Sequence, residues 1–160
     1  MSGSLSTCRE GSVGRKFLTE DIVKKLLSKW KNMDFTEKDE CDVSKLSVVL
    51  PAFNEEAMLK KTAETLKKVL ETADIDYELV FVDDGSKDRT WQEIEEEAEN
   101  NPCVHGVHFS RNFGKEAAVF AGLGAAEGAC VAVMDCDLQH PPETLVEMYR
   151  LWEQGYEVVE

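Results

Sequence analysis

No apolar run in this 160-residue chain approaches the roughly 18–20 residues needed to cross a bilayer. The amino terminus also lacks the apolar core of a signal peptide. Nothing in the sequence as it stands is therefore expected to span a membrane. Cysteine is sparse and patternless. Cys8, Cys41, Cys103, Cys130 and Cys136 are odd in number and form no Cys-x-x-Cys pair, which fits small core residues in a reducing, cytoplasmic setting. Positive charge is short as well: 18 Lys and Arg against 32 Asp and Glu leave a net charge of −14. So acidic a surface is a poor partner for nucleic acid or for an anionic membrane. The imbalance is uneven, since residues 1–45 are nearly neutral and the remainder holds almost all of the excess acid.

What is present is enough chain for one domain with a substantial core. Residues 1–16, rich in Ser and Gly, carry no apolar period and read as a leader without fixed structure. Thr19 has the character of a helix N-cap. Ile22, Val23, Leu26, Leu27 and Trp30 then form one helical face among Lys24, Lys25, Lys29 and Lys31. Such a basic amphipathic face packs on its own domain more often than it lies on a membrane. Residues 32–44 read as a polar linker.

From Lys45 the pattern alternates between strands and helices. Apolar runs predict strands near 46–51, 78–83, 104–109, 130–134 and 156–159, the chain ending within the fifth. Between them the 3.6-residue period predicts helices. The first is capped by Asn54 and buries Leu59, Ala63 and Leu66; the second is capped by Asp88 and buries Trp91, Ile94 and Ala98. A third, Lys115–Ala126, is apolar nearly all round and is expected to be buried. A fourth opens at Pro141 and Pro142 and stops at Gly155. Short connections and strict alternation imply an α/β, doubly wound, mainly parallel sheet with strand order 3-2-1-4.

Three polar clusters fall at the carboxyl ends of these strands: Pro51–Glu56, Asp83-Asp84-Gly85-Ser86 and Asp135-Cys136-Asp137. Each alone is commonly just a turn. Together, beside a switch point between the first and fourth strands, they line one crevice where such sheets bind ligands. Asp135 and Asp137, two apart, are expected to project to one side of the strand end and to suit a hard divalent cation. His105 and His108, three apart on a strand, fall on opposite faces and make no zinc pair. His140 adjoins the acidic cluster in a supporting or solvent-facing role.

The segments Val48–Glu56, Val80–Thr90, Ser110–Lys115 and Met134–Pro142 resemble those of family 2 glycosyltransferases with the GT-A (Rossmann-like) fold. The resemblance lies with the branch that uses polyprenyl-phosphate acceptors, the dolichyl-phosphate mannosyltransferase and bactoprenol glucosyltransferase group. It extends over residues 46–159, which makes 46–160 the nucleotide-sugar-binding part and 1–45 a leader. One departure is Cys136, where alanine is usual in this branch; its side chain is expected to point away from the metal.

The resemblance implies that Pro51, Phe53 and Glu55 border the base and ribose. Asp83 or Asp84 would hydrogen-bond the base, uracil ahead of guanine. Asp135, Cys136 and Gln139 would complete the nucleotide site, and Asp135, Asp137 and Gln139 would hold Mg²⁺ or Mn²⁺. The cations of Ser110–Lys115 would face the same crevice. The implied donor is a UDP-sugar ahead of a GDP-sugar, and the implied acceptor a polyprenyl phosphate at a membrane surface. Family members continue well beyond the fifth strand, so the acceptor-side base has no candidate in this chain. The 160-residue chain is thus expected to bind donor and to transfer sugar poorly. Two other readings remain in play: a non-catalytic nucleotide-sugar or metal-binding module, and a phospho-receiver. The receiver is disfavoured because its paired acids follow the first strand, whereas Asp83 and Asp84 follow the second.

Overall fold

Four of the apolar runs become strands: β1 (Leu46–Ala52), β2 (Tyr77–Asp83), β3 (Val104–His108) and β4 (Cys130–Val133). They are seen in a computed structural model that describes residues 44–159. The leader, the amphipathic stretch Thr19–Lys31, Cys8, Cys41 and nearly all of the linker lie outside the described residues. All pairings are parallel and the order is β3-β2-β1-β4, as the alternation implied. The chain winds one way from β1 to β3 and then crosses back to β4, so the switch point lies between β1 and β4.

The helices are α1 (Leu59–Thr72), α2 (Thr90–Asn100), α3 (Lys115–Ala125) and α4 (Glu143–Glu153). One face of the sheet presents Val48, Leu50, Leu79 and Phe81, packed with Leu59, Leu66 and Leu70 of α1, Ile94 of α2, and Leu145 and Tyr149 of α4. The other face presents Val49, Val80 and Val82 to Ala118 and Ala121 of α3. The central strands are therefore buried on both sides, which is why their sequence reads as unbroken apolar runs.

Three expectations are corrected. Residues 156–159 form no strand. Gly155, at φ 98°, donates to Trp152 O while Tyr156 N reaches back to Leu151 O, a Schellman stop that turns the chain out of α4. Beyond it the segment lines a groove beside β4 without entering a ladder, and Val158 stays exposed. β4 is thus an edge strand among the described residues. Asn54 does not cap α1: it sits at φ 56° in a loop, and α1 begins only at Leu59. Finally, α3 is buried on one side only. Among the described residues it is the one helix on its face of the sheet, and Phe120 and Leu123 on its outer side are exposed.

The amino edge of the sheet is stapled by an acid that patterning had absorbed into an apolar strand. Glu78, 1% exposed, accepts from Ser47 Oγ at 2.5 Å and from Glu127 N at 2.6 Å, and pairs with Lys45 Nζ at 3.0 Å. Gly128 N in turn donates to Ser47 Oγ, which ties the α3–β4 connection to β1. Burial alone would raise the Glu78 carboxyl; the bonds from Ser47, Glu127 N and Lys45 outweigh it and hold it below the ordinary glutamate range. Glu78→Gln is expected to destabilise the fold at pH 7 by about 1–3 kcal/mol. A depressed carboxylate stabilises above its unfolded pKa, about 4.3, and loses that contribution as pH falls through its lower folded value. Urea denaturation of both proteins at neutral and acidic pH should therefore show the difference shrinking towards acid.

Candidate functional site

At the carboxyl edge, between β1, β4 and the start of α3, lies a cleft of about 350 Å³. Pro51, Phe53, Glu55, Asp84, Lys115, Asp135, Cys136 and Asp137 all line it. All three polar clusters of the sequence contribute, so the predicted convergence is observed.

The first two clusters are zipped together by bonds from backbone N–H groups to side-chain oxygens. Asn54 N donates to Ser86 Oγ, and Asn54 Oδ1 accepts from Lys87 N. Glu55 N donates to Thr90 Oγ1, while Glu56 Oε2 accepts from Arg89 N. This cross-linking explains why α1 starts late: residues 54–56 spend their polar groups on the β2–α2 loop. Asp88 caps α2 from just outside it, accepting from Thr90 N and Thr90 Oγ1.

The two aspartates after β2 divide their work. Asp83 is fully buried, accepts from Ser86 N and pairs with His108 Nδ1 at 2.7 Å, and it is not part of the cleft lining. Asp84 does line the cleft. Its Oδ1 accepts from Phe113 N at 2.7 Å and its Oδ2 from Gly114 N at 2.9 Å. It therefore clamps the loop that leads into α3. Gly85 makes the clamp possible, since a Cβ there would lie 2.3 Å from the Arg111 carbonyl carbon, and its φ of 68° is left-handed.

Strand β4 ends at Val133, so Asp135 and Asp137 reach the cleft through a turn, not through the pleat of a strand. Thr62 Oγ1 of α1 donates to Cys136 O at 2.6 Å and holds this turn from beneath. The Cys136 side chain packs in the core at 2% exposure, and burial pushes its thiol up to about 12, so it is inert. Leu138 takes a left-handed φ of 57° and lets the turn close, with Gln139 N donating to Asp137 Oδ1. Gln139 itself is exposed and does not line the cleft, and His140 faces the neighbouring groove beyond β4.

The cleft is acidic. Partial burial, then the charges of Asp137, Asp88 and Asp135, push the Glu55 carboxyl above its ordinary value. Among the described residues Lys115 answers this field: its Nζ lies 2.6 Å from Asp135 Oδ1. Sequence reading pointed only to the cations of 110–115 as a group; the residue that touches the acids is decided by where Asp84 fixes the loop.

A family model described as Glycosyl transferase family 2 matches residues 47–159. An uncharacterized glycosyltransferase, YkcC, of Bacillus subtilis is 45% identical over 113 residues, covering 71% of this chain and 35% of that protein. A bactoprenol glucosyl transferase of Shigella phage SfV is 41% identical over 115 residues, 72% of this chain and 38% of its own length. The chain thus spans little more than a third of the curated relatives it matches. Among solved structures, the mannosyltransferase PcManGT of Pyrobaculum calidifontis, in complex with GDP-Man and Mn²⁺, superposes with a TM-score of 0.56 at 25% identity. That match covers 79% of this chain and 39% of the other. S. aureus TarS 1-349 in complex with UDP gives 0.55 at 25% identity, covering 72% and 38%.

The clamp is directly testable. Asp84→Ala removes the acceptor of two backbone N–H groups and is expected to destabilise the protein by about 3 kcal/mol, with Asp84→Asn intermediate. Trypsin should then cut after Arg111 faster than in the wild type. Unchanged urea midpoint and unchanged cleavage in Asp84→Ala would show that the loop is held by something else.

Proposed function

The chain belongs to glycosyl transferase family 2, and on that premise we propose that it is the donor-binding part of a metal-dependent glycosyltransferase. The sugar would come from a UDP-sugar and pass to a polyprenyl phosphate at a membrane surface. The observation that carries this reading is the meeting of Glu55, Asp84, Asp135 and Asp137 in one cleft at the switch point. The phage relative's name as a bactoprenol glucosyl transferase supports the lipid acceptor, and UDP bound to TarS supports the donor.

The chemistry of the donors, carboxylate oxygens of Asp135 and Asp137 in one cleft, suits a hard cation. Asp135 and Asp137 beside a glutamate whose charge is disfavoured form an anionic focus that Lys115 offsets only at Asp135, and a further cation relieves it. Mg²⁺ and Mn²⁺ characteristically take one or two carboxylates and draw further ligands from phosphate and water. Asp135 and Asp137 are the proposed ligands, and Gln139, bonded through its N–H to Asp137, is the outer member of the set. A bound metal offsets the charge that grows on the diphosphate as the bond to sugar C1 breaks. The protein's own part is positional. Pro51 and Phe53 offer an apolar border for base and ribose. Asp84 is the proposed acceptor for a base N–H, since each carboxylate oxygen retains a second lone pair beyond the loop bond.

Calorimetry with UDP, with and without Mn²⁺, tests the reading. UDP is expected to bind more tightly with metal and more tightly than GDP, and Asp137→Ala should lose roughly tenfold of the metal-dependent affinity. Equal affinity in wild type and Asp137→Ala would remove the metal assignment. A cation favours ionised Glu55, so binding should weaken as pH falls through its raised range and should release protons, seen as buffer-dependent heats.

A further inference from the structure

We propose that Lys115 is the internal counter-ion of the metal-free cleft: it neutralises Asp135 until a metal–diphosphate arrives, then transfers its charge to the diphosphate. The proposal rests on the donor-binding reading above and adds a residue with an exchange role to it. Lys115 is the first residue of α3, and its Nζ lies 2.6 Å from Asp135 Oδ1. It lines both the cleft and the adjoining groove beyond β4, so its side chain stands between the two. This position is built. Asp84 fixes the N–H groups of Phe113 and Gly114 immediately before it, and Gly114, at φ 100°, turns the chain into the helix.

The physical consequence is a competition. Lys115 and a divalent cation would share one carboxylate at close range, so metal alone binds against the charge of an ammonium already in place. A diphosphate changes that balance, because it supplies a new anion for the displaced ammonium at a helix start, where backbone N–H groups also favour anions. Lys115 therefore opposes metal binding in the absence of nucleotide and supports it in its presence. Empty-cleft metal capture is suppressed, and metal and donor load together.

The exposed pair is weak, so the effect is modest and its signature is its sign. In Lys115→Met, Mn²⁺ alone, followed by its electron paramagnetic resonance signal, is expected to bind about two- to fivefold more tightly than in the wild type. UDP affinity at saturating Mn²⁺ is expected to fall by a similar factor, and Lys115→Arg should restore both. Arg111→Met is the charge control, since Arg111 sits on the same loop but stacks on the Phe113 ring at 4.1 Å. Unchanged Mn²⁺ affinity in Lys115→Met, or an equal gain in Arg111→Met, would overturn the counter-ion role while leaving the donor site intact. If Mn²⁺ and UDP bind neither wild type nor variant, the donor-binding reading itself falls and this proposal with it.

Discussion

The cleft depends on a single carboxylate. Asp84 grips two successive backbone N–H groups at the entry to α3, and from that grip follow the path of residues 111–114, the start of the helix and the place of Lys115. A charged acceptor is the right device for this. Charge-assisted bonds are about twice as strong as neutral ones, and two parallel acceptors fix direction as well as distance. The same loop is wedged from below by the absence of a side chain at Gly85. This wall of the cleft is therefore tied directly to the sheet, although the two lie far apart in sequence.

The two edges of the sheet treat glutamate in opposite ways. At the amino edge Glu78 is more buried than Glu55, yet its acidity is strengthened, because Ser47, a backbone N–H and Lys45 serve its charge. At the carboxyl edge Glu55 is left facing other acids and its acidity is weakened. Burial does not decide between these outcomes; supply of donors does. The first edge uses its acid structurally, and the second, where acids crowd one another, is the edge to which the proposed cation is assigned.

Much of this was legible in the sequence. Buried strands announce themselves by unbroken apolar runs, and a parallel sheet follows from strict alternation, so strand order and the converging clusters were both within reach. The misses have local causes. Asn54 looks like a cap, but its side chain finds a better partner in Lys87 N across the loop, and no single-segment rule sees a bond spanning 33 residues. The apolar circumference of α3 suggested burial, whereas periodicity says nothing of how many neighbours a helix will have. Tyr156–Val159 has strand composition, but composition does not supply a ladder. The paired acids after β2 read as equivalent; only the tertiary placement of His108 and of residues 113–114 separates Asp83 from Asp84.

One contact deep in the sheet gives Val49 an unexpected reach. A Cβ on Gly122 would lie 2.2 Å from Val49 Cγ1, so α3 rests on β1 with no spare thickness, and Val49 O accepts the N–H of Met134 just ahead of the acidic turn. Both banks of the cleft are thus referenced to the same core residue. The gap between them is a molecular gauge set by aliphatic volume inside the protein. A change of one methyl group there would alter the width of a cleft that Val49 does not line, from the dry side of the sheet.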